Sequence, residues 1–189
     1  VDNNIGSDRR PTLRLSASLL LVGQILYVIV TLFHAGGDAN NHPAIFEGYA
    51  ASGAWTFVHL MQFACTAIML SGVFALFFGL NVQGEIAKWA ARFGAALTVV
   101  SFALYGIVLA VDGVALKQAV DAWAKAPDAE KAARFAVVEA IRWVEWGTRS
   151  YEAFTLGLAL VLFAVTETDS LPDGALRFRL LAAGLDRRS

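Results

Sequence analysis

The sequence predicts an all-α integral membrane protein, an up-down bundle of four spanning helices whose third and fourth members extend into an outer helical hairpin. Three observations predict it. First, 57% of the 189 residues are apolar and only 16% are charged, whereas an ordinary soluble domain carries about 25% charged residues. Second, the charges lie in clumps, separated by four stretches close to the roughly 20 apolar residues that span a hydrocarbon core. Third, the N-terminus, the second loop and the tail carry Lys and Arg while the first loop carries none, the bias that the positive-inside rule describes.

The first spanning helix is predicted over about 15–35, with Gln24 its only strongly polar interior residue. The polar stretch Val1 to Pro11 has no cleavage site after a short apolar run, so this helix is expected to be retained. The first loop, Gly36 to Gly53, has Gly, Asn and Pro punctuation. Its Ile45, Phe46 and Tyr49 are expected to fold back as a lid. The second helix is predicted over about 55–80 and carries His59 and Gln62. The third spans the membrane from Trp89 to Val111 and extends to about 125. The fourth spans it from Trp143 to Thr166 and begins near 129. Pro127-Asp128 separates the two extensions and suits a helix start. The tail from 167 to 189 is expected on the cytoplasmic side, with Ala175 to Leu185 on the membrane surface. One bundle accounts for the whole length, so residues 1–189 read as a single domain.

Orientation follows from the basic residues. Arg9, Arg10 and Arg14 precede helix 1, Lys88 and Arg92 flank the second loop, and Arg177, Arg179, Arg187 and Arg188 lie in the tail. The first loop has no Lys or Arg. Both termini are therefore expected in the cytoplasm. Lys117, Lys125, Lys131 and Arg134 in the third connection oppose this and are outvoted. Trp55, Trp89 and Trp143 are expected in the interfacial aromatic belt. Ser71, Ala75 and Gly79 on helix 2, with Ala153 and Gly157 on helix 4, have the spacing of close helix contacts. Cys65, the single cysteine, reads as a small buried hydrophobe. The net charge of −1 argues against nucleic acid as a partner, because no basic face is available.

This topology places the chemistry-bearing residues at one level. His34 ends helix 1, His59 begins helix 2, Asp112 ends helix 3, and Arg142 and Glu145 enter helix 4. The lid adds Asp38, His42 and Glu47. On helix 4, Arg142, Glu145, Arg149 and Glu152 fall within roughly 80° of one another, at 100° per residue. A charge at such depth costs about 2.5–3.5 kcal/mol on insertion scales, so the stripe should pair and face inward. Two readings stand: a ladder that ties helix 4 to its neighbours, or a ligand- or proton-handling site formed by Arg142, Glu145, Arg149, Glu152 and Asp112. The histidines offer a metal or haem b site, with His34 and His59 the best pair and His42 a third candidate. The alternative is that they cap helix ends. Asp112 is either a carboxylate ligand or proton acceptor, or a partner of Lys117 and nearby backbone.

The residues His42-Pro43, Glu47, Tyr49-Ala50, Ser52, Trp55 and His59, then Val111-Asp112-Gly113, Glu139-Ala140, Arg142-Trp143 and Glu145 resemble a group of uncharacterised bacterial multi-helix membrane proteins of the DUF4386-like kind. The resemblance covers roughly Thr31 to Glu167. It implies a bacterial inner membrane and brings no activity or catalytic residue with it. Nothing in the sequence resembles a nucleophile–base pair. The leading expectation is thus a non-enzymatic protein that binds a small ligand in an outward polar pocket or serves as an accessory subunit. Its partners would be the lipid bilayer and other membrane subunits or further copies of itself. The alternatives are a haem or metal redox protein and an enzyme acting on lipid or quinone.

Overall fold

The computed structural model describes residues 9–80, 82 and 84–168. Their regular structure is helical throughout: α1 (Arg9–Thr31), α2 (His42–Ala51), α3 (Trp55–Gly79), α4 (Glu85–Ala110), a π-helical turn (Val111–Leu116), α5 (Lys117–Ala124) and α6 (Asp128–Thr168). Four stretches, Arg9–Thr31, Trp55–Gly79, Glu85–Ala124 and Asp128–Thr166, are long and apolar enough to cross a membrane. The expected surface helix at 175–185 and the tail arginines lie outside the described residues.

The burial pattern is inverted relative to a soluble domain. Leu21, Phe78 and Phe154 are exposed, while Ser16, Gln62, Thr66, Thr98 and Ser101 are buried. α1 packs along α3, and α4 along α6. Glycine sets the first of these contacts. A Cβ at Gly72 would lie 2.9 Å from Leu20 Cγ and 3.0 Å from Ser16 O, and one at Gly23 would lie 2.9 Å from Met69 N. Ser16 Oγ donates to the Gly72 carbonyl at 2.8 Å. The contact row on α3 runs through Cys65, Gly72 and Gly79, so of the expected Ser71, Ala75 and Gly79 the last is in the contact, against Leu13, while Ser71 is exposed. Ala153 and Gly157 are exposed, and a Cβ at Gly157 would have open space around it. α6 meets Gly94 of α4 at Ala159 and Phe163 instead.

α1 begins before the expected boundary and ends earlier, so His34 sits in the turn beyond it, its N–H bonded to Thr31 O. The expected lid is a short helix, α2. Asn41 caps it by accepting from Ala44 N–H at 3.4 Å, and Pro43 stands in its first turn, where its missing N–H costs nothing. Ile45, Phe46 and Tyr49 of α2 are buried with Trp55, Leu116, Val120 and Val138. Lys117 Nζ donates to the last carbonyls of α2, Tyr49 at 3.0 Å and Ala50 at 2.8 Å. Lys131 does the same for α5 at Trp123 and Ala124. Both follow the preference of helix C-termini for cations.

Candidate functional site

The π-helical turn positions the site. A π turn disrupts the regular i→i−4 ladder and is frequent at functional positions. Here two of its carbonyls are taken by α3: Trp55 Nε1 donates to Asp112 O at 2.8 Å, and Thr56 Oγ1 to Gly113 O at 2.8 Å. Gly113 lets α3 come this close, because a Cβ there would lie 2.6 Å from His59 Cβ. Trp55 is 1% exposed. It is enclosed in the site and does not anchor at an interface as expected, since its ring is needed to hold the turn. Trp89 and Trp143 are exposed.

The turn delivers Asp112 into the interior. Its Oδ2 lies 3.1 Å from His59 Nε2 and 3.4 Å from Arg149 Nη2. Lys117, one of its expected partners, instead pairs with Asp121 at 2.8 Å. His59 Nδ1 lies 2.8 Å from Trp55 O. A carbonyl only accepts, so Nδ1 carries the proton. His34 stands beside His59, with ring centroids 5.0 Å apart. One ligating atom from each of His34, His59 and Asp112 falls within 4.8 Å of the others. Burial keeps the His34 imidazole below its ordinary pKa, and the neighbouring His59 adds to this. The expected third histidine is elsewhere: His42 Nδ1 lies 2.8 Å from Glu139 Oε1.

From α6, Glu145 is 1% exposed and accepts from Arg149 Nε at 2.7 Å. Arg142 is buried too, 3.5 Å from Glu145. Its guanidinium lies over the rings of Tyr49 and Trp146, 5.6 Å and 5.1 Å from their centroids. Burial pushes the Tyr49 phenol up, against the pull of Arg142. Glu152 lies apart from this group, accepting from Ser101 Oγ at 3.0 Å. The helix 4 stripe thus divides: three members join the site, while Glu152 ties α6 to α4.

A cavity of about 270 Å³ opens among these groups, lined by Tyr27, Thr31, His34, Tyr49, Gln62, Asp112, Arg142, Glu145, Trp146 and Arg149. Among the described residues, Arg142 Nε, Glu145 Oε2, Asp112 Oδ1 and His59 Nε2 are buried without a hydrogen-bond partner. Sequence reasoning missed Tyr27, Thr31, Gln62 and Tyr49 as cavity residues. Gln62 within an apolar helix was the usable signal, since a buried amide must find a partner. It donates to Thr31 Oγ1 at 3.1 Å. No family model, curated protein or solved structure matches the chain.

Proposed function

We propose that the chain is an integral membrane protein, an up-down four-helix bundle with its cavity end outward and both termini cytoplasmic, that binds a small polar ligand in the cavity. The observation that carries the reading is the cavity's lining, where the charged side chains of Asp112, Arg142, Glu145 and Arg149 come together. Charged groups gathered within a bundle are costly unless they find partners, and a polar ligand supplies further ones. The lining arginines donate and the lining carboxylates accept, so the ligand carries both an acceptor and a donor, as an amide or a zwitterion does. The cavity's volume of about 270 Å³ lies just below ordinary ligand sites of about 300–1,000 Å³, which favours a small ligand. The distribution of Lys and Arg and the apolar exterior support the membrane placement. The resemblance to DUF4386-like proteins points the same way, to a bacterial inner membrane.

Native mass spectrometry of the protein released from its own membranes tests this. The expected result is a small-molecule adduct that is lost in Glu145→Gln and in Arg142→Gln. Wild-type protein without an adduct, or an adduct retained in both variants, overturns the reading.

A further inference from the structure

We propose that His34, His59 and Asp112 form a mononuclear site for a divalent first-row transition ion, at the wall of the cavity. Three segments distant in sequence bring one donor atom each to within 4.8 Å of the others. His59 and Asp112 are 2% and 3% exposed.

The hydrogen bonding around His59 carries the argument. With its Nδ1 proton given to the Trp55 carbonyl, neutral His59 presents a lone pair at Nε2. That lone pair lies 3.1 Å from Asp112 Oδ2, which is also an acceptor. Among the described residues Nε2 has no hydrogen-bond partner, and neither does Asp112 Oδ1. Arg149 Nη2 also donates to Asp112 Oδ2, at 3.4 Å, which leaves His59 Nε2 as the buried acceptor without a donor, and a cation bound to both Nε2 and the carboxylate satisfies it. An imidazole whose other nitrogen donates to a backbone carbonyl is the usual arrangement of a metal-bound histidine. Ligand atoms about 2.0–2.2 Å from one tetrahedral ion stand roughly 3.3–3.5 Å apart, close to the observed separation. The remaining closure falls to His34, the half-buried member, in the turn beyond α1.

Two imidazoles and a carboxylate, with no thiolate, suit zinc or ferrous iron. The close centroids and the shared carboxylate put both rings on one small ion, since a porphyrin between them would force them apart. Three protein ligands leave a position open, and His34 and Asp112 also line the cavity. The site adds to the ligand-binding reading and does not depend on it. The competing account is a proton: a charged His59 paired with Asp112.

Cobalt titration of the full chain in detergent, after treatment with a chelator, decides between them. The expected result is visible d–d absorption saturating at one Co²⁺ per chain and displaced by Zn²⁺. His59→Ala and Asp112→Asn should weaken Co²⁺ binding by more than about 100-fold, beyond what loss of an outer supporting partner costs, while His42→Ala and Arg142→Gln keep it. If the ligand variants fail to fold, X-ray absorption at the cobalt edge of the wild type reads the donor set directly, and two imidazoles with oxygen are expected. No d–d absorption in the wild type, a donor set without imidazole, or unchanged affinity in folded His59→Ala and Asp112→Asn overturns the site. Arg142→Gln separates the two readings, because it should lose the organic adduct and keep the metal.

Discussion

Gly113 and Glu145 are the single residues on which the site turns. A methyl group at 113 would meet His59 Cβ at 2.6 Å, so the π turn or His59 must shift. Gly113→Ala should therefore cost about 1–3 kcal/mol, the usual penalty of overpacking, and should displace His59 from Asp112. Thermal unfolding in detergent measures the first effect, and the cobalt spectrum the second. Glu145 is the acceptor for Arg149 and the nearest carboxylate to buried Arg142. Removing it leaves a buried guanidinium unpaired, so Glu145→Ala should cost about 3 kcal/mol or more. Arg149 is 45% exposed at its side chain, so solvent screens its loss, and Arg149→Ala should cost less. Unfolding of the two variants side by side checks the order. Equal costs would mean that Glu145 is solvated where the packing has it enclosed.

Among the elements, the α1–α3 contact and the exposed face of α6 make opposite predictions for the same kind of substitution. A Cβ at Gly72 would lie 3.0 Å from the α1 backbone at Leu20 N and Ser16 O, so Gly72→Ala should destabilise by about 1–3 kcal/mol. Gly157 meets nothing within 4 Å. Gly157→Ala should be neutral, or stabilising by up to about 1 kcal/mol through helix propensity. Helix loss followed by circular dichroism in detergent reads both. A destabilised Gly157→Ala would point to a contact made by this face in an assembly. The sequence showed that small residues would set helix contacts, and the four apolar stretches it marked are helices. It did not show which small residues. Ser71 and Gly72 are neighbours in the chain but about 100° apart on the helix, and only the packing partner decides which of them faces it.

For the whole molecule, the arginine distribution and the inverted burial combine into a testable topology. Cys65 is buried, so background labelling should be low. A cysteine at Asn40, before α2, should react with a membrane-impermeant maleimide in intact cells. One at Glu85, at the start of α4, should react only after permeabilisation. The reverse pattern would turn the cavity toward the cytoplasm.

Sequence alone determined the number of long apolar helices, their approximate limits and the break at Pro127-Asp128, because chain-local hydropathy and backbone chemistry control these. It also raised His34, His59, Asp112, Arg142, Glu145 and Arg149 as candidates, since charged or imidazole groups in apolar stretches are costly wherever the chain goes. Only the tertiary structure set His42 and Glu152 apart from that group, enclosed Trp55, added Tyr27, Tyr49 and Gln62, and turned Asp112 toward His59 through a π turn. Those outcomes depend on helix rotation and on contacts between residues dozens of positions apart. A rotation of one residue changes which side chain faces inward without changing the hydropathy of the segment.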